Sequence, residues 1–414
     1  VFRKIGHNVL AIVLVQAINF IVPLVALPHI ARALDVHKFG VYVVLLSYAN
    51  YVLMVSDFSF NVNGPLLVAE SKRDGQLRQL AIDTTALKSM LLIPALLVFA
   101  ISAYLIADQN WLYVLLSGMI PITTTFTPRW IMYSVGQIYV FAGLSAVSKG
   151  LWILLVYLLV QAPDDVGILL AITALTQLLL CVLCIVLVWN ESEGGSPPTL
   201  SRICAIFQND FKQFAASIAT SSLKDLGVVA LSVSSSAVQV SLYALADRVR
   251  FALLGVVAPV SQSLFLVTAR HKLSGGVQQR IRGLVNMAVT IGAAMCGVAV
   301  FLFSEELVAL LGGGAFAHSA PLLRIVAFAP TFTALTSVLG VNTLLAEGFA
   351  AEYASAQLTC AGLAGPVLLL LVLLFGATGA ALGVLLAEII GVLVLGRACQ
   401  KSGVIAKAFS LRGK

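Results

Sequence analysis

Residues 166–189 run from end to end without a charged side chain. Shorter unbroken apolar runs follow the same habit, among them Leu151 to Val160 and Val367 to Phe375. A helix needs about 20 mostly apolar residues to cross a bilayer, whereas a membrane β-strand alternates over about 10. Runs of this kind demand helices, because in hydrocarbon each segment must satisfy its own backbone hydrogen bonds. Composition closes the argument. The chain has 414 residues, 60% of them hydrophobic and only 10% charged, against roughly 25% charged in soluble domains. A soluble enzyme, a disordered chain and a disulfide scaffold are excluded.

Hydropathy predicts twelve spans, at about 8–33, 41–66, 80–106, 113–134, 139–160, 166–189, 214–235, 239–268, 281–303, 321–346, 353–375 and 379–397. The longest polar stretch, 190–213, holds Gly194, Gly195, Pro197 and Pro198 and reads as a linker. The expected organisation is an N-terminal six-helix lobe (1–189), a cytoplasmic linker (190–213), a C-terminal six-helix lobe (214–397) and a basic cytoplasmic tail (398–414). Six is even, so the lobes would be parallel repeats about a pseudo-two-fold axis along the membrane normal. Pro121 and Pro128 in span four, echoed by Pro321 and Pro330 in span ten, fit that reading.

Orientation follows from the basic residues. With the N-terminus inside, the outer side holds only Arg32, Lys38 and Arg324, and Lys88, Lys149, Lys224, Arg248 and Arg250 lie within spans. The remainder of the 25 Lys and Arg fall on the inner side, so the net charge of +7 is mostly topology. Both termini are expected in the cytoplasm.

Several chemistries are missing. No Gly-x-x-x-x-Gly-Lys-Ser/Thr loop is present, and Gly312-Gly313-Gly314 reads as an outer turn. The five histidines lack metal spacing. Cys181 and Cys184 are spaced like metal ligands but sit in an apolar run without a second pair. Neither a cofactor nor a metal is expected, and no loop is large enough for a catalytic domain. A transporter is favoured over an enzyme.

An ionisable side chain at mid-bilayer costs at least a few kcal/mol, so it marks a candidate site. The five intraspan bases face five intraspan acids: Asp57, Asp83, Asp225, Asp247 and Glu388. Asp247 and Arg250 are three apart and can pair on one helix face. Internal ion pairs that fix packing are one reading of these charges; a water-filled cavity that meets an anionic head group is the other.

Motifs along the chain carry a resemblance. They are Leu27-Pro28-His29-Ile30-Ala31-Arg32-Ala33-Leu34, Phe39-Gly40-Val41-Tyr42, Ser56-Asp57-Phe58-Ser59-Phe60 and Pro128-Arg129-Trp130. Span eight adds Ser241-Leu242-Tyr243-Ala244-Leu245-Ala246-Asp247-Arg248. In order and spacing the chain resembles the Wzx-type polysaccharide (O-antigen) flippases of the superfamily that also holds multidrug exporters. The resemblance implies two six-helix lobes around a central cavity in the bacterial inner membrane. It implies movement of undecaprenyl-diphosphate-linked oligosaccharide to the outer leaflet by alternating access, with H+ or Na+ as coupling ion. Polysaccharide polymerase and chain-length proteins would be partners, besides membrane lipids. On that reading Lys224, Arg248, Arg250, Lys149 and Lys88 meet the diphosphate, and Asp225, Asp247 or Asp57 couples the ion. A multidrug cation exporter, a peptidoglycan-precursor flippase and a membrane-embedded glycan polymerase are the alternatives.

Overall fold

In the computed structural model, the residues described are 18–19, 21–58, 60, 77–106, 110–189, 196–270 and 275–409. The start of the first expected span, Ser59, the basic loop around Lys72 and the Glu191 end of the expected linker lie outside them. The described residues form helices and turns, with no strand among them.

The helices are α1 (Ile21–Ala33), α2 (Val36–Asp57), α3 (Leu77–Ile106), α4 (Trp111–Phe126), α5 (Arg129–Val135), α6 (Ile138–Leu159) and α7 (Val166–Trp189). They continue as α8 (Leu200–Ser234), α9 (Ala237–Arg270), α10 (Gly275–Leu302), α11 (Ser304–Gly312), α12 (Ser319–Val326), α13 (Ala329–Leu339) and α14 (Ala350–Lys401). Seven helical stretches among the described residues are long and apolar enough to cross a membrane. Their surfaces confirm the solvent. Val98, Ile101 and Leu105 of α3 and Leu373 of α14 are largely exposed, whereas Lys88, Asp247 and Arg250 are buried. A protein that turns leucine outward and arginine inward is solvated by lipid.

Local chemistry sets the breaks. Asp35 caps α2 by accepting from the Lys38 amide at 2.8 Å. Asn110 caps α4 by accepting from Leu112 N at 3.0 Å. Proline disfavours helical dihedrals in the residue before it, and Thr127 before Pro128 is extended. Span four is therefore two helices, α4 and α5, rather than one. Phe58 ends α2 in the left-handed region, at φ 47°. That conformation costs about 1–2 kcal/mol. Burial of the ring offsets it, since Phe58 lies 5.2 Å from Phe207 and 4.4 Å from Phe214 between ring centres.

α8 begins at Leu200, inside the stretch read from sequence as linker. Its first turns are amphipathic: Ile203, Phe207 and Phe214 pack into a cluster with Phe58, Phe60 and Trp130. A hydropathy window averages such a stripe with its polar face and so starts the helix late.

α14 is a hairpin. Gly376 adopts φ 56° and ψ −131°, which no helix contains. A Cβ on Gly383 would meet Leu368, and one on Gly391 would lie 3.5 Å from Cys360 Sγ. The two pairs sum to the same number, the signature of two antiparallel arms that reverse at Gly376. The arms, 350–375 and 377–401, correspond to expected spans eleven and twelve.

The chain divides into two compact units, one of residues 1–22 with 33–222, the other of 23–32 with 223–414. Within the second, Arg32 Nη2 donates to the carbonyl of Leu310 at 2.6 Å, at the C-terminal end of α11. Arg324 Nη2 meets Glu305, in the first turn of α11, at 2.7 Å. At another end of this unit a π-helical turn, Gly340–Leu345, buries Asn342 and Thr343. Asn342 donates to Asn286 Oδ1 at 2.9 Å, and Asn286 donates to the Ala408 carbonyl at 2.8 Å, so the segment after α14 is tied back onto α10.

Candidate functional site

Hydroxyl side chains can enter an apolar helix because each bonds a carbonyl one turn back. Thr124 donates to Ile120 O, Thr173 to Leu169 O and Thr176 to Ile172 O, each at 2.8 Å. In the first unit these residues face a cavity of about 560 Å³. Asn50, Met54 and Asp57 of α2 line it, with Ser145, Ser148, Lys149 and Trp152 of α6, Gln177 of α7, Ser217 and Ser221 of α8, and Arg129 at the start of α5.

Asp57 does not face this cavity alone. Lys88 reaches it from α3 with Nζ 3.0 Å from Oδ1. The Lys88 side chain is 5% exposed and that of Asp57 25%, so the acid looks into the cavity and the base lies behind it. Lys88 also sits 5.4 Å from the Phe60 ring centre. Lys149 differs: among the described residues no carboxylate pairs with it. Its Nζ is 6.0 Å from the ring centre of Trp152, whose Nε1 donates to Thr173 Oγ1 at 3.0 Å. A fixed indole beneath an ammonium leaves that ammonium available to an anion.

The second unit holds its own charged set. Arg250 Nε donates to Asp247 Oδ1 at 2.6 Å; both side chains are buried, and the guanidinium lies 4.3 Å from the Phe251 ring centre. Arg250 Nη2 and the Tyr243 hydroxyl are buried without a hydrogen-bond partner. Tyr243 packs so closely on α8 that a Cβ on Gly227 would sit 2.8 Å from its oxygen. Lys224 is exposed on α8 and Arg248 half-buried on α9, neither in an ion pair among the described residues. Asp225 is half-buried and has interaction partners of its own. Glu388 is half-buried on the second arm of α14.

The eight residues singled out from sequence thus fall into two sets. Lys149, Lys88 and Asp57 lie in the first unit, and Lys224, Asp225, Arg248, Arg250 and Asp247 in the second. The first cavity brings in Arg129 and Trp152, which sequence reasoning had assigned to an inner loop and to an apolar run. The signal for Arg129 was Pro128, which starts a new helix there and so sets the following residue inside. A turn is present at Gly312-Gly313-Gly314, with Gly313 at φ 71°.

Known proteins are similar to this chain in sequence or in architecture. A putative O-antigen transporter of Escherichia coli strain K12 is 23% identical over 397 residues, covering 93% of this chain and 94% of the relative. Among solved structures, the lipid II flippase MurJ in an inward closed conformation superposes with a TM-score of 0.73 at 12% identity, over 95% of this chain and 87% of that one. A Vibrio cholerae MATE transporter superposes at 0.60 with 14% identity, over 97% and 96%. The fold is therefore that of all-helical membrane transporters, and the proteins that share it are named for transport rather than for catalysis. Residues 5–270, well over half of the chain, match the family described as polysaccharide biosynthesis protein, and the chain belongs to that family.

Proposed function

We propose that the chain is a flippase that carries polyprenyl-diphosphate-linked oligosaccharide from the cytoplasmic to the outer leaflet of a bacterial inner membrane. It crosses that membrane twelve times, with both termini cytoplasmic, and works by alternating access driven by an ion gradient. The observation that carries this reading is the first unit's cavity, together with membership of the family. Its wall is hydroxyls and amides, suited to sugars, and its available cation is Lys149. The single carboxylate lining it, Asp57, is matched by Lys88. A wall of that polarity supports an anionic, sugar-bearing substrate over a drug cation. In the second unit Lys224 and Arg248 are the cations available to phosphate oxygens, while Arg250 and Lys88 hold their acids and shape the site. Asp57 and Asp225 remain open to ion-coupling roles. Polymerase and chain-length proteins would take up the exported unit.

The experiment is complementation. A strain that lacks this gene receives wild type, Lys149→Ala or Lys224→Ala at matched protein levels, and surface polysaccharide is quantified. We expect at least a tenfold loss for Lys149→Ala, about the worth of one charge-assisted hydrogen bond at 1.4 kcal/mol per decade. Wild-type polysaccharide from both variants would sink the assignment of the phosphate site.

A further inference from the structure

We propose that the end of α14 and the segment that follows it form a docking site for anionic phospholipid of the phosphatidylglycerol class. Arg397 and Lys401 take the phosphate, and Ile405 and Phe409 sit among the acyl chains beside it. The proposal needs only a chain that crosses a bilayer and is independent of what that chain transports.

Three observations carry it. The first is depth. The second arm of α14 starts at Ala377, and Arg397 lies twenty residues further on. At about 1.5 Å per residue that is about 30 Å, the thickness of the hydrocarbon core. Arg397 therefore stands at the edge of the core and Lys401 one turn beyond it. The second is the face. Leu386 and Leu393 are exposed on this arm. At about 100° per residue, Arg397 and Lys401 fall within roughly 80° of both, and both bases are exposed. The stripe that shows leucine to lipid thus ends in two cations. Neither is in an ion pair among the described residues. From Gly391 to Lys414 the sequence holds five bases and no acid. Of the acids on neighbouring elements, Glu347 is held by Arg282 at 2.7 Å, and Glu352, exposed on the first arm, forms an ion pair with neither base. The third is the segment after the helix. Val404 and Ala408 are buried in a cluster with Leu339, Leu344 and Leu395. The Ala408 carbonyl accepts from Asn286 at 2.8 Å, and the Val404 amide donates to the Cys399 carbonyl at 3.0 Å. Fixed in this way, the segment turns Ile405 and Phe409 outward, 45% and 41% exposed, directly after the two bases.

A cationic pair beside an apolar pair at the edge of the core matches one kind of partner. Water is a poor neighbour for Ile405 and Phe409, and hydrocarbon is a poor neighbour for Arg397 and Lys401; a phospholipid meets both at once. The guanidinium can hold two phosphate oxygens and the ammonium a third. A zwitterionic headgroup brings a cation of its own to that phosphate, which opposes the two bases; an anionic headgroup brings none. On α10 the same pattern recurs: Leu284, Met287 and Ile291 are exposed, and the exposed Arg280 stands one turn before Leu284.

The test places a reporter in the site. The full chain carrying Phe409→Trp is reconstituted in phosphatidylcholine vesicles and titrated with brominated phosphatidylglycerol or with brominated phosphatidylcholine. Quenching, with the wild-type signal subtracted, reads whose acyl chains lie against the new indole. Each base near an anionic surface is worth roughly fivefold, so the pair should prefer phosphatidylglycerol about 25-fold. At that preference, half of the quenching is reached with about 4% brominated phosphatidylglycerol, against about half the lipid for brominated phosphatidylcholine, which competes only with its own kind. Adding Arg397→Gln and Lys401→Gln should bring the two midpoints together. In about 1 M salt, where charges are screened beyond about 3 Å, the preference should fall at least severalfold. Equal midpoints without the glutamines, or a preference that survives them, overturns the proposal. Quenching by neither lipid means that something other than acyl chains covers Phe409, and overturns it too. Displacement of phosphatidylglycerol by inorganic phosphate would make this a free-anion site and overturn lipid docking. If the glutamine variant does not fold, salt decides: a preference unmoved by about 1 M salt overturns the proposal. Translocation enters none of these readouts, so the flippase reading stands or falls separately.

Discussion

Lys88 stood among the candidates for the diphosphate, yet its Nζ lies 3.0 Å from Asp57 and its side chain is 5% exposed. The two roles separate by a double-mutant cycle with Lys88→Met and Asp57→Asn. Methionine keeps an unbranched side chain of similar length beside Phe60 while deleting the charge. At 3.0 Å and an effective dielectric near 20, the Coulomb attraction is roughly 5.5 kcal/mol. Asp57 is a quarter exposed to the cavity, so water recovers part of its solvation once Lys88 is gone. The expected net loss for Lys88→Met is therefore about 2–4 kcal/mol, at or below the range for breaking a fully buried pair. Adding Asp57→Asn removes the stranded charge and should restore at least half of that loss. The assay is thermal unfolding of detergent-solubilised protein followed by tryptophan fluorescence, with surface polysaccharide measured in parallel. A stabilising pair predicts a double variant that unfolds near wild type and still exports. A double variant no more stable than Lys88→Met refutes the ion-pair reasoning. One that is stable but exports nothing returns Lys88 to the substrate.

Two further outcomes can be checked on the same preparations. Gly379→Ala places a methyl against the Leu371 carbonyl, where the arms of α14 cannot part without unpacking, and should cost about 1–3 kcal/mol in the same unfolding assay. Asn286→Ala deletes the link from Asn342 to the Ala408 carbonyl and leaves both groups unpaired. Hydrogen exchange at residues 402–409 and across the π-helical turn should then accelerate roughly tenfold or more, at about 1–3 kcal/mol per stranded group.

Much of the architecture was legible in the sequence because lipid imposes so few options. Apolar runs gave helices such as 138–159 and 166–189 to within a residue of expectation. Where hydropathy is a poor proxy, the reading drifted. The amphipathic start of α8 buries Phe207 on one side only, so its mean hydropathy resembles that of a linker. The π-helical turn leaves no mark, since Asn342 and Thr343 look like ordinary polar interruptions until Asn286 is seen opposite. Partner choice divides the same way. Asp247 with Arg250 follows from their spacing on one helix, whereas Asp57 with Lys88 joins residues 31 apart on two helices. The cavity around Lys149 draws on several helices, none of which declares it alone.

Residues 23–32 cluster with the second unit, although they are made near the beginning of the chain. The carbonyl that Arg32 grips belongs to Leu310, 278 positions later. At about 5–20 residues per second, synthesis must run for roughly 14–56 s before that carbonyl exists. Through that interval the guanidinium waits with only water or lipid head groups for company. The second unit thus cannot close during synthesis until its earliest piece has been held in store. Two half-chains cut in the 190–213 region and expressed apart would share this debt: the half that carries residues 223–414 lacks a helical segment of its own packing, and the other half carries the missing piece.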